Sequence, residues 1–315
     1  MDTPIRTGII DFGLSGRVFH APFVATNPDF QLALIATSDP RRRSLTSSRY
    51  PNAEVVASPD DLLARAADLD LVVLASPAHT HLEQGLAALK AWAAVVVDKP
   101  FAPSVAEALI AAAAAVQRPL IVFHNRRWDG DFLTVKKLIA SSALCDVTRF
   151  KSTFERWAGP RRDRWQDTTT PAQGAGIAFD IGSYLIGQSL QLFGPVAQLH
   201  AELRIQRAGG VSDDDAFVSF LHDSGVRSHL AMSSVAALSG PRFRMLGSSG
   251  RLLRERARPA GGGAGLRHAA HRRQLRDQRT GCLRRAERRN EPLGRAPRAR
   301  RLPGLLRRRR LRHPR

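Results

Sequence analysis

Residues 5–20 read IRTGIIDFGLSGRVFH, a short apolar strand followed by a glycine-bearing turn and the start of a helix. In a dinucleotide-binding βαβ unit, glycines at such a turn let the backbone approach a pyrophosphate held at the helix N-terminus. The fingerprint of this turn is G-x-G-x-x-G. Gly13 and Gly16 occupy its second and third positions, whereas Asp11 stands at the first. Two glycines also fit an ordinary strand–turn–helix, so the turn alone does not identify a nucleotide site.

The next segments alternate between apolar strands and helices. The predicted strands are 32–36, 55–56, 69–76, 94–97 and 120–124, and the predicted helices are 59–67, 81–91 and 105–117. The strand 69–76 is apolar throughout, as in parallel sheets that are buried on both faces. This alternation predicts an α/β, Rossmann-type domain over residues 1–124.

The pattern changes after residue 124 to long strands with little helix. An amphipathic helix over 132–143 and a helical segment over 179–193 flank predicted strands at 146–157, 196–207, 214–222 and 226–235. This order predicts a second, α+β domain over 125–250, with an open-faced and mostly antiparallel sheet. The predicted domain is incomplete at its C-terminus.

The positive charge belongs to a third segment, 251–315. The formal net charge of the whole chain is +20, and this segment contains 23 Arg, 4 acidic residues and no Phe, Tyr or Trp. Three interpretations stay open: a disordered basic tail, a nucleic-acid arm, and a reading-frame shift that replaced the original C-terminus. The arm lacks aromatic stacking platforms, so a nucleic-acid partner is not expected. We favour the frame shift, because CGN arginine codons become ordinary GNN codons one base later; the gene sequence tests this.

Cofactor choice is expected to follow the end of the second strand. Small hydroxyl residues, including Ser38, occupy the place where an acid would bind the ribose of NAD, and Arg41 and Arg42 follow. Guanidinium groups suit a 2′-phosphate. We therefore expect NADP, with NAD as the alternative, because Asp39 could bind the ribose unless it starts the turn before Pro40.

Further candidate residues follow the ends of three more strands. Ser76 and Pro77 end one strand, with His81 just beyond, Lys99 follows the next strand, and Asn125 follows the strand 120–124. Open α/β sheets bind ligands at the carboxyl ends of their strands. These side chains can therefore border a ligand, whereas a solvated loop histidine and an ordinary surface lysine stay open as alternatives for His81 and Lys99. No apolar run reaches membrane-spanning length, no signal peptide is evident, and the two cysteines lack metal-ligand spacing. The expectation is a cytoplasmic protein without a metal.

Five stretches, in this order, resemble the Gfo/Idh/MocA family of NAD(P)-dependent oxidoreductases over residues 5–250. They are IIDFGLSGRVFHAPF, LASPAHTH, VVVDKPF, FHNRRWDGDF and GAGIAFDIGSYLIGQSLQLFG. The wording of the fourth stretch is closest to scyllo-inositol dehydrogenase-like members. The resemblance implies hydride transfer between a nicotinamide and a hydroxyl carbon of a sugar or cyclitol, in a homo-oligomer if the chain folds.

The resemblance also implies the site residues. The family's E-K-P lysine matches Lys99, and its D-x-G-x-H motif begins at Asp180 and ends at Tyr184, where the family has histidine. The implied catalytic residues are thus Lys99, Asp180 and Tyr184, and we expect the Lys99 ammonium to lower the pKa of Tyr184. The implied cofactor-binding residues are Phe12, Gly13, Leu14, Gly16, Ser38, Arg41, Arg42, Ser76, Pro77, His81, Lys99 and Asn125.

Four replacements depart from the family pattern. Asp11 and Trp92 stand where the family has glycines, Tyr184 stands where it has histidine, and Gly187 stands where it has an acid. Asp11 puts a carboxylate near the expected position of the phosphate, Tyr184 replaces the presumed acid/base, and Trp92 puts a large ring where φ > 0 is expected. These changes favour an alternative interpretation, a decayed member that binds a nucleotide without turnover.

Overall fold

The computed structural model describes residues 3–101, 103–160 and 169–255. The predictions for the tail beyond residue 255 therefore lie outside the described residues. None of the helices in these ranges has the length and hydropathy needed to cross a lipid bilayer.

The first sheet has six parallel strands in the order β3-β2-β1-β4-β5-β6. The strands are β1 Ile5–Ile10, β2 Phe30–Ala36, β3 Glu54–Val56, β4 Leu71–Leu74, β5 Ala94–Asp98 and β6 Leu120–Phe123. The helices are α1 Ala21–Thr26, α2 Pro40–Arg49, α3 Pro59–Leu63, α4 His81–Lys90 and α5 Pro103–Ala115. The strand order reverses direction between β1 and β4, which is where doubly wound sheets bind nucleotides.

Both faces of this sheet are buried, which explains the continuous apolar runs of its strands. Ile10 of β1 packs in one cluster with Leu74 and with Leu109 of α5. Its neighbour Ile9 points to the other face and packs with Phe12 and Ala21. Burial on two faces therefore fixes the sheet and holds the loops at its carboxyl edge in place.

The second sheet also has six strands, in the order β12-β11-β7-β10-β9-β8. The strands are β7 Val147–Glu155, β8 Val196–Arg204, β9 Asp215–His222, β10 Arg227–Ser233, β11 Phe243–Gly247 and β12 Arg251–Arg254. The helices α6 Gly130–Ala140 and α7 Ser183–Phe193 share one hydrophobic core with it. All neighbouring strands pair antiparallel except β7 and β10, which run parallel.

Burial alternates along the strands of this sheet. In β9, Val218 and Phe220 are buried towards the helices, whereas Phe217 is only partly buried on the opposite face together with His229 of β10. One face thus forms the core and the other stays open. The predicted fold class, a Rossmann domain with an open-faced α+β domain, is confirmed.

The sequence analysis missed β11 and β12. The predicted tail begins at residue 251, yet Arg251–Arg254 pairs with β11, and Leu252 packs against the core. A hydrogen bond from the Gly247 amide to the Gly250 carbonyl, 2.8 Å long, closes the turn between the two strands. Because ladder pairing uses backbone groups, an Arg-rich segment can extend the sheet.

Candidate functional site

The turn after β1 is built for a glycine at its third position. A Cβ on Gly16 would lie 2.1 Å from the carbonyl oxygen of Asp11, a distance that no side chain tolerates. Asp11 itself has φ of 72°, the left-handed region that glycine favours, and its amide donates to the Ala36 carbonyl at 3.0 Å. The helical segment begins where the Arg17 amide bonds the Gly13 carbonyl at 3.1 Å. The backbone here has the close approach that the glycine fingerprint requires.

The carboxylate of Asp11 lies over this turn and forms an ion pair with Arg42. Arg42 Nη1 is 3.1 Å from Asp11 Oδ1, and a Cβ on Gly13 would come within 3.1 Å of Asp11 Oδ2. Arg42 Nε is also 3.9 Å from Asp39 Oδ2. The sequence predicts that the acid at this turn, Asp11, conflicts with a phosphate. In the structure Asp11 pairs with Arg42, a residue that is predicted to bind the cofactor.

Asp39 begins helix α2. Its Oδ1 accepts hydrogen bonds from the Arg41 and Arg42 amides at 2.8 and 3.0 Å. The bond from the Arg42 amide is the main cause that lowers the pKa of Asp39. Asp39 therefore caps a helix. One of its two carboxylate oxygens is engaged by the helix amides, so only the other could bind the ribose of NAD.

The other residues predicted at the adenosine end differ in exposure. Phe12 is buried in the core, Leu14 is exposed on the turn, and Ser38 and Arg41 are exposed beside Arg42. The turn after β1 and the end of β2 are neighbours, because the Asp11 amide bonds Ala36. The structure thus brings these predicted cofactor-binding residues to one edge of the first sheet, where Phe12 can present only its backbone because its side chain is buried.

The loop after β4 is held by His81. Its Nε2 lies 2.8 Å from the Ser76 carbonyl oxygen, and its side chain is buried. Burial lowers the pKa of His81, which keeps the imidazole neutral near pH 7. Ser76 Oγ in turn donates to Gln84 Oε1 at 2.6 Å, and Thr80 Oγ1 donates to Ser76 Oγ at 2.9 Å. His81 therefore holds the Ser76–Pro77 loop through the Ser76 carbonyl, and its ring is buried beneath that loop and not exposed on it.

Lys99 joins the two sheets. It follows β5, and its Nζ donates to the Asp180 carbonyl oxygen at 2.7 Å and forms an ion pair with the Asp180 carboxylate. Asp180 lies in a five-residue π-helical turn, Ala178–Gly182, that precedes α7. Asp213 positions this turn, because its Oδ2 accepts the Ala178 amide at 2.8 Å. The family motifs that supply Lys99 and Asp180 are thus in direct contact.

Tyr184 lies below these charges. The Lys99 ammonium is 4.9 Å from the centroid of its ring, and the Arg126 guanidinium is 5.2 Å away. Burial raises the pKa of Tyr184 well above its usual value, and Arg126 opposes this only in part. The expectation that Lys99 lowers this pKa was wrong. The ammonium lies over the ring face, and desolvation of the phenolate outweighs the nearby cations.

His124 and Gly187 complete this cluster, and the sequence analysis gave His124 no role. The His124 ring packs edge-on against Tyr184, with the ring centroids 6.1 Å apart. Burial, with the charges of Arg127 and Lys99, lowers the pKa of His124. A Cβ on Gly187 would sit 3.8 Å from His124 Nδ1, so a side chain at position 187 would border this imidazole. The sequence carried a signal for His124, since it directly follows β6 at the ligand-binding edge.

A second histidine that the sequence analysis missed lies behind Lys99. His20 Nε2 is 2.8 Å from Asp98 Oδ1, both side chains are buried, and the His20 ring packs 4.3 Å from that of Phe123. The pair anchors the residue before Lys99. Local sequence could not find it, because 78 residues separate the two partners.

The residues at this edge fit a nicotinamide dinucleotide, with one exception. The turn at Gly16 admits no side chain, and within the described residues Asn125 Oδ1 is buried with no hydrogen-bond partner, so it can accept from a ligand amide. Asp11 is the exception, since its carboxylate lies where phosphate approaches. A search for metal ligands, confined to the described residues, finds no group of three His, Cys, Asp or Glu side chains.

Known proteins match both halves of this architecture. The oxidoreductase family with an NAD-binding Rossmann fold matches residues 5–126, and the GFO/IDH/MocA C-terminal domain matches residues 132–253. Over 252 residues the chain is 38% identical to the Escherichia coli K12 protein described as uncharacterized oxidoreductase YdgJ, covering 79% of this chain and 71% of YdgJ.

Two further matches agree. The Bacillus subtilis 168 protein named scyllo-inositol 2-dehydrogenase (NADP(+)) IolW is 31% identical, covering 79% of this chain and 68% of IolW. The crystal structure of an oxidoreductase-family protein from Bacteroides fragilis superposes with a TM-score of 0.69 at 37% identity, covering 80% of this chain and 71% of that one. The chain therefore belongs to the Gfo/Idh/MocA family of oxidoreductases, whose N-terminal domain is an NAD-binding Rossmann fold.

Proposed function

We propose that this oxidoreductase uses NADP in preference to NAD and transfers a hydride between the nicotinamide and a hydroxyl carbon of a sugar or cyclitol. The observation that carries the proposal is the contact of Lys99 with Asp180 above Tyr184, at the carboxyl edge of the parallel sheet. The relative IolW is named scyllo-inositol 2-dehydrogenase (NADP(+)), so scyllo-inositol is the first substrate to test. The bound cofactor would accept or supply the hydride.

The chain's own residues would hold the substrate and manage its proton. Lys99 would donate to the substrate oxygen and stabilise negative charge that develops there. Asp180 would keep the ammonium in place through its two oxygen contacts. Tyr184, with its raised pKa, keeps its proton at neutral pH, so it suits proton donation during carbonyl reduction better than proton abstraction.

The cofactor would be bound by the residues of the sheet edge. The backbone from Phe12 to Gly16 would face the pyrophosphate, Ser38 with Arg41 and Arg42 would face the adenosine ribose and its 2′-phosphate, and Asn125 would offer its unpaired oxygen. The Ser76–Pro77 loop, held by His81, would cover the same edge. We further propose domains at residues 1–124 and 125–254; the second extends past the predicted boundary at 250, because β12 (Arg251–Arg254) pairs with β11.

The test is an oxidation assay with scyllo-inositol, myo-inositol and glucose, each with NADP⁺ and NAD⁺. NAD(P)H absorbance should rise with at least one polyol, and faster with NADP⁺. The variant Lys99→Ala should lose this turnover. Absence of turnover in both directions, with the corresponding ketones included, would contradict hydride transfer on this substrate class.

Nucleotide binding without turnover is the second candidate function. One observation favours it: the group at the usual acid/base position is a buried tyrosine that does not release its proton near neutral pH. In that case NADPH would bind and raise the melting temperature of the chain, and no polyol would be oxidised. The cofactor titration and the turnover assay together separate the two functions.

A homo-oligomer is also proposed. β8 is an edge strand, and its Leu199 and Leu203 side chains are 65% and 53% exposed. Apolar side chains on a sheet edge favour association with a second copy. Light scattering on the purified chain should show a dimer or larger species, and Leu203→Asp should shift it towards the monomer; an unchanged mass would exclude this edge.

A further inference from the structure

The ion pair of Asp11 with Arg42 lies at the adenosine end of the site. Nη1 of Arg42 is 3.1 Å from Oδ1 of Asp11, and both groups border the position of Gly13, at 3.7 and 3.1 Å from where its Cβ would be. The side chains are 44% and 32% exposed. An ion pair this accessible can open when a ligand competes for either partner.

Arg41 differs from Arg42 although the two are adjacent. Both amides bond the Asp39 cap, but the Arg41 guanidinium has no ion pair within the described ranges, whereas that of Arg42 is close to two carboxylates. Of these carboxylates, Asp39 Oδ1 is already engaged by backbone amides. Asp11 is thus the acid whose removal most changes the state of Arg42.

We infer that Asp11 is a specificity-determining residue that weakens the preference for NADP by holding Arg42. The inference rests on the proposed dinucleotide function. A 2′-phosphate would have to take Arg42 from Asp11, whereas a ribose bearing a free 2′-hydroxyl leaves the pair intact. The cost of breaking the pair therefore falls on the phosphorylated cofactor alone.

The variant Asp11→Asn tests this with little change to the backbone, because asparagine tolerates positive φ and keeps the shape of the side chain. Asp29→Asn is the matched control, since it removes the same charge from an exposed loop. Dissociation constants would be measured by fluorescence for NADPH and NADH. Adenosine 2′,5′-bisphosphate and AMP, measured by calorimetry, report on the adenosine end alone and need no turnover.

In Asp11→Asn the ratio of NADPH to NADH affinity should rise on the order of 3- to 10-fold, with the same shift for the bisphosphate over AMP. Asp29→Asn should leave both ratios unchanged. In an Arg42→Ala background, Asp11→Asn should change them by less than about twofold, because the residue it releases is gone.

Three results would overturn the inference. An equal gain for both cofactors would place Asp11 at the pyrophosphate, and an equal change of the ratio in both backgrounds would show that Asp11 acts on the phosphate directly. An unchanged ratio with intact binding would show that the pair does not affect selectivity. Failure of every variant and the parent chain to bind any of the four ligands would overturn the proposed function itself, and this inference with it.

Discussion

The two ends of the proposed cofactor site differ in how deeply their cations are buried. The side chain of Arg42 is 44% exposed and that of Lys99 only 17%, whereas the paired carboxylates of Asp11 and Asp180 are similarly exposed, at 32% and 37%. At the adenosine end, Asp11 and Arg42 form an exposed ion pair. At the other end, Lys99 and Asp180 pair above a buried tyrosine whose pKa burial raises. Water screens the first pair, so it can open and close at small cost. In the second pair the lysine is largely desolvated, so the fold fixes its position beside Asp180.

This difference in burial separates the residues expected to choose the cofactor from those expected to take part in the reaction. Substitutions at the exposed end should change which dinucleotide binds, and by modest factors. Substitutions at the buried end should change whether a proton and a substrate oxygen are handled at all. The expected effects therefore decrease from the Lys99 cluster outward.

Lys99→Ala should have the largest effect, a loss of turnover of about 10²- to 10³-fold, because Lys99 contacts Asp180, lies 4.9 Å from the centroid of the Tyr184 ring and would stabilise charge on the substrate oxygen. Initial rates of NADP⁺ reduction measure it. Lys90→Ala, on the exposed end of α4, is the control and should keep full activity. An active Lys99→Ala enzyme would remove Lys99 from the mechanism.

Tyr184→His should raise turnover at pH 7 by about 10- to 100-fold, because imidazole titrates near neutrality and the tyrosine does not. The pH–rate profile should gain a limb near pH 6 to 7 that the parent chain lacks. Tyr184→Phe is the comparison that keeps the ring and removes the hydroxyl. If Tyr184→Phe is as active as the parent chain, the phenol takes no part in proton transfer, and His124 becomes the group to substitute.

Replacing Arg41 and Arg42 together by Ala should reduce NADPH affinity roughly 10-fold and leave NADH affinity nearly unchanged. Titration of each cofactor by fluorescence measures both. Arg43→Ala, one residue further along α2, is the matched control. Equal losses for the two cofactors would mean that these arginines do not face a 2′-phosphate.

Much of the fold follows from local sequence. Strands such as Leu71–Leu74 are apolar on both faces and so must lie inside a parallel sheet. At Asp39-Pro40 the sequence predicts only a turn, whereas Asp39 caps helix α2 in the structure. β12 could not be predicted, because its Arg-rich side chains carry no apolar alternation and its pairing depends on backbone groups. Sequence order also placed Lys99 and Asp180 among the site residues through the family motifs.

The electrostatics of the site could not be predicted in the same way. The pKa of Tyr184 depends on burial, which is a property of packing, and the nearby lysine suggested the opposite direction. The pair of Asp11 and Arg42 joins side chains 31 residues apart, each of which had a plausible local role by itself. The sequence therefore predicts at which edge of the sheet a charged side chain lies, but only the structure shows which other charge it pairs with.

The smallest expected effect concerns His81, which lies between the two ends and holds the Ser76–Pro77 loop. Burial lowers its pKa in the folded chain, so the folded state disfavours the proton that the unfolded chain binds near pH 6.5. The stability contributed by the neutral ring is therefore present above about pH 6.5 and declines as the pH falls towards the folded-state pKa.

Urea unfolding at pH 7.5 and 5.5 should show that the free energy of unfolding of the parent chain falls by on the order of 1 kcal/mol at the lower pH. Part of this loss comes from His124, whose pKa burial also lowers. In His81→Gln, which keeps an amide donor for the Ser76 carbonyl, that loss should be smaller, whereas His79→Gln, an exposed neighbour, should reproduce the parent chain. An unchanged pH dependence in His81→Gln would mean that the ring is hydrated or protonated in the folded chain, and the loop would then be as open to water as the pair of Asp11 and Arg42.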